Sequence, residues 1–599
     1  MRALAHLNKY FWRYKARFFL GILFVSVSNL YAIIPPKVVR ITFDFLRDVK
    51  PIFTMMEGTP LHDLYFDVLV GAFLFFGFII VLAAVLKGVF MFLMRQTLVV
   101  MSRFIEYDLK NEIYNHYQNL SLSFFKRNNT GDLMARITED VSKVRMYVGP
   151  AVLYAINLTV LFSLVIYNMI QVSPTLTAYV LMPLPILSFT IYHVSRMINI
   201  RSERVQRQLS ELSTFVQEGF SGIRVLKAYA KEDQWGKAFE KETENYKETT
   251  LELVQIQAVF FPTMLILIGL STVLTVYIGG KQAMAGTITT GNIAEFIIYI
   301  NMLTWPVAAI GWITSIIQRA AASQTRINEF LNTEPEIVNN SHEPLQVNGG
   351  ITFKDVEFVY PDSGIKALDG VSFDVKPGES LAILGRTGSG KSTIASLITR
   401  TYDISKGSLL LDGKPIHNLN LDVVRSSIGY VPQDVFLFSD SISSNISFGI
   451  DSDEDLEKRV HTAAKQADIF DNIIDFPFGF DTKVGERGIT LSGGQKQRIS
   501  IARAIIRDPQ ILIFDDCLSA VDTETEEKIL AHLKDLMNGK TTVIISHRVS
   551  SVKHADQIIV LDKGSIIERG THEALLKLDG AYASLYQKQL LEDDERKIA

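Results

Sequence analysis

The sequence predicts a multi-domain fold: an all-α transmembrane domain of six helices with long cytoplasmic helical extensions, followed by an α/β domain. Three observations predict this architecture. Five windows in the first half contain no charged residue, and short β-rich runs alternate with helical patterns after residue 350. The composition agrees, because 48% hydrophobic against 21% charged residues is too apolar for an ordinary soluble enzyme of 599 residues.

Charge and cysteine content argue against several other classes of protein. A formal net charge of −4 argues against a nucleic-acid partner, because nucleic-acid binders normally carry a strong basic excess. The single cysteine, Cys517, cannot form an internal disulfide, so no oxidising compartment is implied. The 11 histidines lack the ligand spacing of a structural zinc site.

The membrane spans are predicted from windows without Asp, Glu, Lys or Arg. These windows are 18–36, 68–86, 146–195, 253–280 and 296–318. A helix needs about 20 apolar residues to cross the hydrocarbon layer, so four windows hold one span each. The longest window holds two spans, and Pro174 marks the tight turn between them.

The distribution of basic residues predicts the orientation in the bilayer. Lys and Arg are concentrated before span 1 and in the segments between spans 2 and 3 and between spans 4 and 5. The positive-inside rule therefore places both termini in the cytoplasm. With its very short external segments, the chain is expected to be a multi-pass protein of a bacterial inner membrane.

Two cytoplasmic segments, 95–145 and 196–252, are polar, favour helix and are too long for loops. They are predicted to extend the spans as helical hairpins on which a soluble domain could push, although solvated arms without such a role are the alternative. A polar linker at 331–350 then separates the predicted membrane domain, 1–330, from the predicted soluble domain, 351–599.

A phosphate-binding loop follows the predicted strand Ser380–Leu384. It matches G-x-x-x-x-G-K-[ST] in the required strand–loop–helix setting, where backbone N–H groups surround phosphates at the positive end of a helix. In that setting Lys391 would neutralise the β/γ oxygens, and Ser392 would ligate Mg²⁺. The loop comprises Gly385, Arg386, Thr387, Gly388, Ser389, Gly390, Lys391, Ser392 and Thr393.

Two further motifs follow in the same half of the chain. The apolar run Ile511–Phe514 leads into the carboxylates Asp515 and Asp516, an arrangement that holds Mg²⁺ opposite a phosphate loop. Between this strand and the phosphate loop lies the string Leu491–Gln495. It reads either as a turn that opens a helix or as a second phosphate-binding surface, made by a serine hydroxyl and glycine amides.

These motifs, in this order behind six spans, resemble the ABC exporters of the half-transporter type, in particular bacterial multidrug-type exporters that form heterodimers. The resemblance covers essentially the whole chain. It implies an ABC nucleotide-binding domain with ATP and Mg²⁺ as cofactors. It also implies ATP-driven export of a hydrophobic or amphipathic, drug- or lipid-like substrate by alternating access, as one half of a dimer in the lipid bilayer.

The resemblance also implies roles for individual residues. Tyr360 would stack on adenine, unless it is an ordinary strand tyrosine, and Asp522 would let the two ATP sites communicate. The implied catalytic residues are Asp516, His547, Gln433 and Lys391. The implied metal ligands are Ser392, Gln433 and Asp515. The signature residues Ser492, Gly493, Gly494 and Gln495 would complete the ATP site of the other subunit. The loop Val484–Gly488 would meet the membrane domain's hairpins.

Position 516 departs from the family pattern, which has glutamate after the Mg²⁺ aspartate. Asp516 keeps the carboxylate but reaches about 1.5 Å less far, and a misplacement near 1 Å can cost about 100-fold in rate. The chain's own site is therefore expected to be slow, and a heterodimer is favoured. A homodimeric exporter with an aspartate base and a mainly ATP-binding regulatory subunit remain alternatives, and the intact His547 weakens the heterodimer interpretation.

The predicted membrane spans give little information about the transported substrate. Lys87 lies about 12 Å inside the membrane by helix rise, where an intramembrane charge indicates a functional site by default. A lysine at that depth can also extend to the headgroups, which is the favoured interpretation. Glu295, near the outer end of span 6, is expected to be hydrated. Four asparagines could line a cavity or bond across helices: Asn29, Asn157, Asn168 and Asn301.

Overall fold

The structure is a computed structural model that describes residues 2–450, 455–485, 488, 491–517 and 536–598. It consists of two compact units. The first contains Met1–Tyr117 and Gly131–Thr333, and the second contains Gln118–Thr130 and Glu334–Ala599.

The first unit is helical, and long apolar helices dominate it. In chain order, the helices up to residue 331 are α1 (Asn8–Arg13), α2 (Lys15–Met55), α3 (His62–Met94), α4 (Val100–Asn119), α5 (Leu122–Arg127), α6 (Thr130–Ala135), α7 (Val141–Met146), α8 (Val152–Val172), α9 (Pro174–Leu181), α10 (Pro183–Ser221), α11 (Ile223–Ala228), α12 (Glu232–Met284) and α13 (Thr290–Leu331). Of these, α5 belongs to the second unit. A 3₁₀ turn covers Arg2–Leu7, and π-helical turns cover Arg95–Val99, Arg136–Asp140 and Tyr147–Ala151.

Among the described residues, five continuous helical stretches are long and apolar enough to cross a membrane. They are Lys15–Met55, His62–Asn119, Thr130–Val172, Glu232–Met284 and Thr290–Leu331. The fourth predicted span falls on α9 and α10, where several side chains lie outside the described set, and it is not among the five.

The turn predicted at Pro174 has a clear local cause. Ser173 is extended, with φ −158°, and its hydroxyl accepts a hydrogen bond from the backbone N–H of Leu176. Proline at the first helical position needs no N–H partner there and has the right φ already. The chain therefore leaves α8 and starts α9 within two residues.

The outer ends of α2 and α13 are joined by a buried polar cluster. Glu295 is fully buried; it accepts a hydrogen bond from the Tyr299 hydroxyl at 2.8 Å and lies 3.4 Å from the Arg40 guanidinium. Asp44 accepts hydrogen bonds from the Thr289 hydroxyl and the Gly291 N–H. The expectation that Glu295 is hydrated is wrong, because these neighbours replace water as its partners.

The second unit contains two sheets and the short helices that pack on them. Its strands are β1 (Ile351–Val359), β2 (Lys366–Val375), β3 (Ser380–Gly385), β4 (Lys406–Leu411), β5 (Lys414–Pro415), β6 (Ile428–Val431), β7 (Ile511–Asp515), β8 (Thr541–Ile545), β9 (Gln557–Asp562) and β10 (Ser565–Gly570). Its further helices are α14 (Lys391–Ile398), α15 (Leu421–Ser426), α16 (Ile442–Ile446), α17 (Leu456–Gln466), α18 (Phe470–Ile474), α19 (Gly493–Ile505), α20 (His572–Lys577) and α21 (Ala581–Ile598). Single 3₁₀ turns cover Ile416–Asn418, Ser447–Gly449 and Gly479–Asp481.

The larger sheet determines where the site lies. Its strand order is β10-β9-β3-β8-β7-β6, and β3, β6, β7, β8 and β9 run parallel. Strands β3, β7 and β8 are almost wholly buried, which is typical of a parallel sheet covered on both faces. Their carboxyl ends meet at one edge, where ligands bind in open α/β sheets. The smaller sheet, β2-β1-β4-β5, is antiparallel.

Candidate nucleotide site

A cavity of about 430 Å³ lies at the carboxyl edge of β3, β7 and β8. Most of the site residues predicted from the sequence line it. They are Tyr360, Thr387, Gly388, Gly390, Lys391, Ser392, Thr393, Gln433, Asp515, Asp516 and His547. The remaining loop residues, Gly385, Arg386 and Ser389, belong to the same turn but do not line the cavity.

The phosphate loop depends on glycines for its shape. Gly388 and Gly390 have φ of +81° and +100°, the left-handed region that favours glycine. A Cβ at Gly390 would lie 2.4 Å from the backbone oxygen of Ala367, so no other residue fits there without rearrangement. The loop therefore closes tightly and leads directly into α14.

Lys391 is a buried cation at the base of the cavity. Its side chain is held in the loop by hydrogen bonds from Nζ to the Gly385 and Arg386 carbonyls, at 2.8 and 2.9 Å. Burial lowers the pKa of Lys391, and the charges of Asp516 and Asp515 oppose that shift. An anion bound in the cavity would stabilise the charged lysine further.

Asp515 and Ser392 form the second polar pair in the cavity. Asp515 is buried; it accepts hydrogen bonds from the Ser392 hydroxyl at 2.9 Å and from the Tyr430 hydroxyl at 3.4 Å. Burial raises the pKa of Asp515, hydrogen bonds from Ser392 and Tyr430 oppose the shift, and the neighbouring charge of Asp516 adds to it.

The oxygen atoms of Ser392, Asp515 and Gln433 suit Mg²⁺, which prefers hard oxygen ligands. Among the described residues, no group of three or more His, Cys, Asp or Glu side chains could hold a metal by itself. Mg²⁺ does not require such a group, because it commonly keeps waters and substrate phosphates among its ligands. The donor set therefore fits Mg²⁺ bound together with a nucleotide.

Asp516 has an unusual backbone conformation at the end of β7. Its φ is +48°, a left-handed conformation that aspartate tolerates better than most residues and that is common at functional sites. Its N–H donates to the Ile545 carbonyl at 2.8 Å, and the Gln433 amide donates to its carboxylate at 3.2 Å. Backbone and side chain are thus both held, and the carboxylate faces the cavity.

Sequence reasoning missed Gln589, which holds the loop that contains His547. The Gln589 amide donates to the His547 carbonyl at 2.7 Å, and its oxygen accepts the Val549 N–H at 2.7 Å. Gln589 lies in α21, 42 residues beyond His547, and no motif surrounds it. Only the fold brings it to the site.

Tyr360 is held from two sides. Its hydroxyl lies 2.9 Å from the Thr393 hydroxyl of α14, and Lys126 Nζ of α5 lies 5.2 Å from the centre of its ring. Burial alone lowers the pKa of Lys126, but a hydrogen bond to Tyr402 and the nearby Tyr360 outweigh it and raise the pKa. Lys126 and Tyr402 are further residues that the sequence did not indicate.

The signature residues lie elsewhere on the second unit. Ser492 caps the N-terminus of α19, where its hydroxyl and the Gln495 side chain form a reciprocal capping box. Ser492 and Gly493 are exposed, and none of the residues Ser492, Gly493, Gly494 and Gln495 lines the cavity. Asp522, and Glu486 and Arg487 of the predicted hairpin-contacting loop, lie outside the described residues.

Two family models match consecutive parts of the chain. The ABC transporter transmembrane region matches residues 18–307, and the ABC transporter model matches residues 368–519. The chain is 35% identical to the multidrug resistance-like ATP-binding protein MdlA of Escherichia coli over 594 residues, covering 99% of this chain and 97% of that protein. It is also 35% identical to the ATP-dependent lipid A-core flippase of Photobacterium profundum, covering 80% of this chain and 82% of the flippase.

A solved structure has a similar fold. A bacterial Atm1-family ABC exporter with ATP bound superimposes with a TM-score of 0.76 at 26% identity, covering 96% of this chain and 99% of the exporter. These comparisons confirm the predicted order of a helical membrane domain followed by an α/β ATPase domain.

The Gln589 contacts predict a selective effect on turnover. Gln589→Leu removes both hydrogen bonds to the His547 loop, so kcat for ATP should fall about tenfold because His547 loses its position. The KM for ATP should change little, because the phosphate loop is untouched. Gln587→Leu, an exposed change on the same helix, is the matched control in steady-state ATPase assays. Equal kcat in both variants would contradict the role of Gln589.

Proposed function

This chain belongs to the ABC transporter family, as an exporter that fuses the transmembrane region to the ATPase domain, and we propose that it works with a different subunit to export an amphipathic substrate. It is an ATP-binding and ATP-hydrolysing transporter, a multi-pass protein of the inner membrane whose ATPase domain lies in the cytoplasm.

The position of Asp516 carries the proposal of asymmetry. Its carboxylate is the acid nearest in sequence to the buried Asp515, and it faces the cavity from a backbone held by Ile545. A side chain fixed in this way cannot easily advance to compensate for its missing methylene. We infer that it orients the attacking water poorly, so that this chain's own site binds ATP but hydrolyses it slowly.

The other cavity residues have the roles that their chemistry supports. Lys391 would bind the β/γ-phosphate oxygens, and His547 would contact the γ-phosphate. Ser392, Asp515 and Gln433 would hold Mg²⁺, which supplies positive charge that neutralises the phosphates when it is bound. Tyr360 would stack on adenine, with its ring held by Thr393 and Lys126.

The exposed signature supports pairing with a second subunit. Ser492 and Gly494 present a helix N-terminus, a hydroxyl and backbone N–H groups, all suited to phosphate, yet they lie away from the cavity of their own chain. Head-to-tail pairing would let this intact signature complete a competent ATP site on the partner. ATP would then close the pair and switch the spans to the outward-facing state.

The substrate class is inferred from relatives and from the membrane domain. The similar proteins include one named for multidrug resistance and one named as a lipid A-core flippase. Both names point to hydrophobic or amphipathic molecules. We therefore assign this chain a drug- or lipid-like amphipathic substrate.

A homodimer is the second candidate assembly, and one observation favours it. His547, Gln433 and Lys391 all line the cavity beside a retained carboxylate, so the site lacks only the length of one side chain. In a homodimer Asp516 would act as the base at both sites. If Asp516 instead supports almost no hydrolysis, the chain would be a mainly regulatory subunit that binds ATP.

A longer carboxylate should restore turnover. Asp516→Glu extends the side chain by one methylene, so this chain's own site in the assembled transporter, reconstituted in lipid, should hydrolyse ATP about tenfold faster or more. Lys391→Ala supplies the blank, and Asp516→Asn controls for loss of the charge. Unchanged or lower turnover in Asp516→Glu, beside robust turnover in the unmodified chain, would show that aspartate suffices and would favour the homodimer.

Export itself is tested with inside-out vesicles and a hydrophobic fluorescent dye. ATP should drive dye uptake by the assembled transporter, and Lys391→Ala in this chain should abolish it because the phosphates lose their buried cation. Lys414→Ala, an exposed change on β5, is the matched control. Full uptake by the Lys391→Ala variant would refute the proposed role of this site.

A further inference from the structure

We propose that a cavity in the membrane domain binds an amphipathic anion, with Lys87 and Arg95 contacting its acidic group and a methionine- and aromatic-rich wall contacting its apolar body. The inference rests on the proposed export function and specifies the charge of the substrate. The sequence favoured an interpretation of Lys87 as a lysine that extends to the headgroups.

The cavity has a volume of about 850 Å³ and lies wholly within the first unit. Residues of α2, α3, α4, α7, α8 and α13 line it, together with the π-helical turns Arg95–Val99 and Tyr147–Ala151. Its size is in the range of sites for drug-sized ligands. It is separate from the nucleotide cavity, which belongs to the second unit.

The charge of the cavity wall is unbalanced. Lys87 and Arg95 line the cavity, and none of its described lining residues is Asp or Glu. No ion pair of either cation occurs among the described residues of the chain. Eight residues separate the two cations, about 12 Å along a helix. Lys87 lies at membrane depth, where a charge is costly unless it has a partner, and a bound anion would supply one, whereas Arg95 begins the predicted cytoplasmic segment.

A pair of amide side chains, one buried and one half-buried, adds hydrogen-bonding capacity to the same wall. Asn29 is 5% exposed, and its amide donates to the Val25 carbonyl at 3.0 Å and to the Asn157 side-chain oxygen at 2.9 Å. Both asparagines line the cavity. No hydrogen bond donated by the Asn157 amide occurs among the described residues, so this donor is available to an acidic or polar ligand group.

The rest of the wall suits an apolar ligand body. Tyr154 and Trp312 form an edge-to-face pair at 5.4 Å, and Trp305 also lines the cavity. Four methionines join them: Met91, Met94, Met146 and Met302. Methionine side chains adapt to ligands of different shape because they are unbranched and polarizable. An apolar body of variable shape therefore fits this part of the wall.

The helical backbone beside the cavity is irregular. Two of the three π-helical turns of the first unit contribute to the cavity, and such turns are frequent at functional sites. The second contains Pro150, which has no N–H for regular helical bonding, and Gly149, where a Cβ would lie 2.6 Å from the Ser102 hydroxyl. The irregular turns thus come from the sequence and shape the wall beside Arg95.

Charge separates the possible substrates. A cationic amphipath would meet two like charges without a carboxylate, whereas an anionic amphipath would meet two cations and a free amide. Hydrogen bonds to charged groups are the stronger class, so the acidic group should dominate selectivity. The ligand chemistry is therefore a phosphate, carboxylate or sulfonate on an apolar body, either a bilayer lipid or a free amphipath.

The test compares three probes with the same hexadecyl chain: hexadecyl phosphate, hexadecyltrimethylammonium and hexadecylphosphocholine. Binding to the full-length protein in neutral phosphatidylcholine bilayers is followed by fluorescence of Trp305 and Trp312. Hexadecyl phosphate should bind about tenfold or more tightly than the cationic probe. Lys87→Gln and Arg95→Gln should each remove most of that preference, whereas Lys281→Gln and Arg47→Gln, which leave the cavity unchanged, should retain it.

The outcomes separate this inference from the export function. If the cationic probe binds as tightly as the anion and is exported, the anionic preference is overturned while export stands. If no probe binds or is exported although ATP is hydrolysed, both fail. Adding water-soluble 1-naphthalenesulfonate distinguishes the sources: competition that depends on Lys87 and Arg95 supports a free anion, and binding of hexadecyl phosphate alone supports a bilayer lipid.

Discussion

The nucleotide site depends on the electrostatic attraction between the buried Lys391 and two carboxylates of the same cavity, Asp515 and Asp516. A parallel sheet brings β3 and β7 to the same edge, so the loop after one strand and the carboxylates after the other must meet. Burial disfavours both the charged lysine and the charged Asp515. An anion bound together with Mg²⁺ would relieve both costs, so the site has the charge pattern of such a ligand.

Much of the fold could be predicted because its signals are local. Windows without charge locate helices that only a bilayer explains, and Pro174 predicts a turn that the structure shows, with Ser173 as the cap of the helix that follows. The phosphate loop and Asp515 were predictable because glycine conformations and buried carboxylates leave a clear trace in sequence. The fold class is confirmed by the family matches, whereas the roles of individual site residues remain proposals.

The residues that sequence reasoning missed act over long separations. Gln589 reaches the His547 loop from α21, and Lys126 reaches Tyr360 from α5. Neither belongs to a motif, because its role depends on packing and not on neighbouring residues. The prediction for Glu295 failed for the same reason. Its position near the membrane surface suggested hydration, but Arg40 and Tyr299 of the folded protein take the place of water. The anion-binding role proposed for Lys87 depends on Arg95, which lines the same cavity.

We propose that the signature of a second subunit completes the ATP site, and complementation between two copies of this chain, which stand in for the two subunits, measures this. Lys391→Ala and Ser492→Ala are made in separate chains that both carry Asp516→Glu, and ATPase activity is measured in lipid for each alone and for co-assembled mixtures. Each variant alone should be close to inactive, and the mixture should recover clear turnover, because one chain supplies the intact phosphate loop and the other the intact signature. Two inactive variants whose mixture stays inactive, beside an active parent, would show that the signature of one subunit does not complete the ATP site of another.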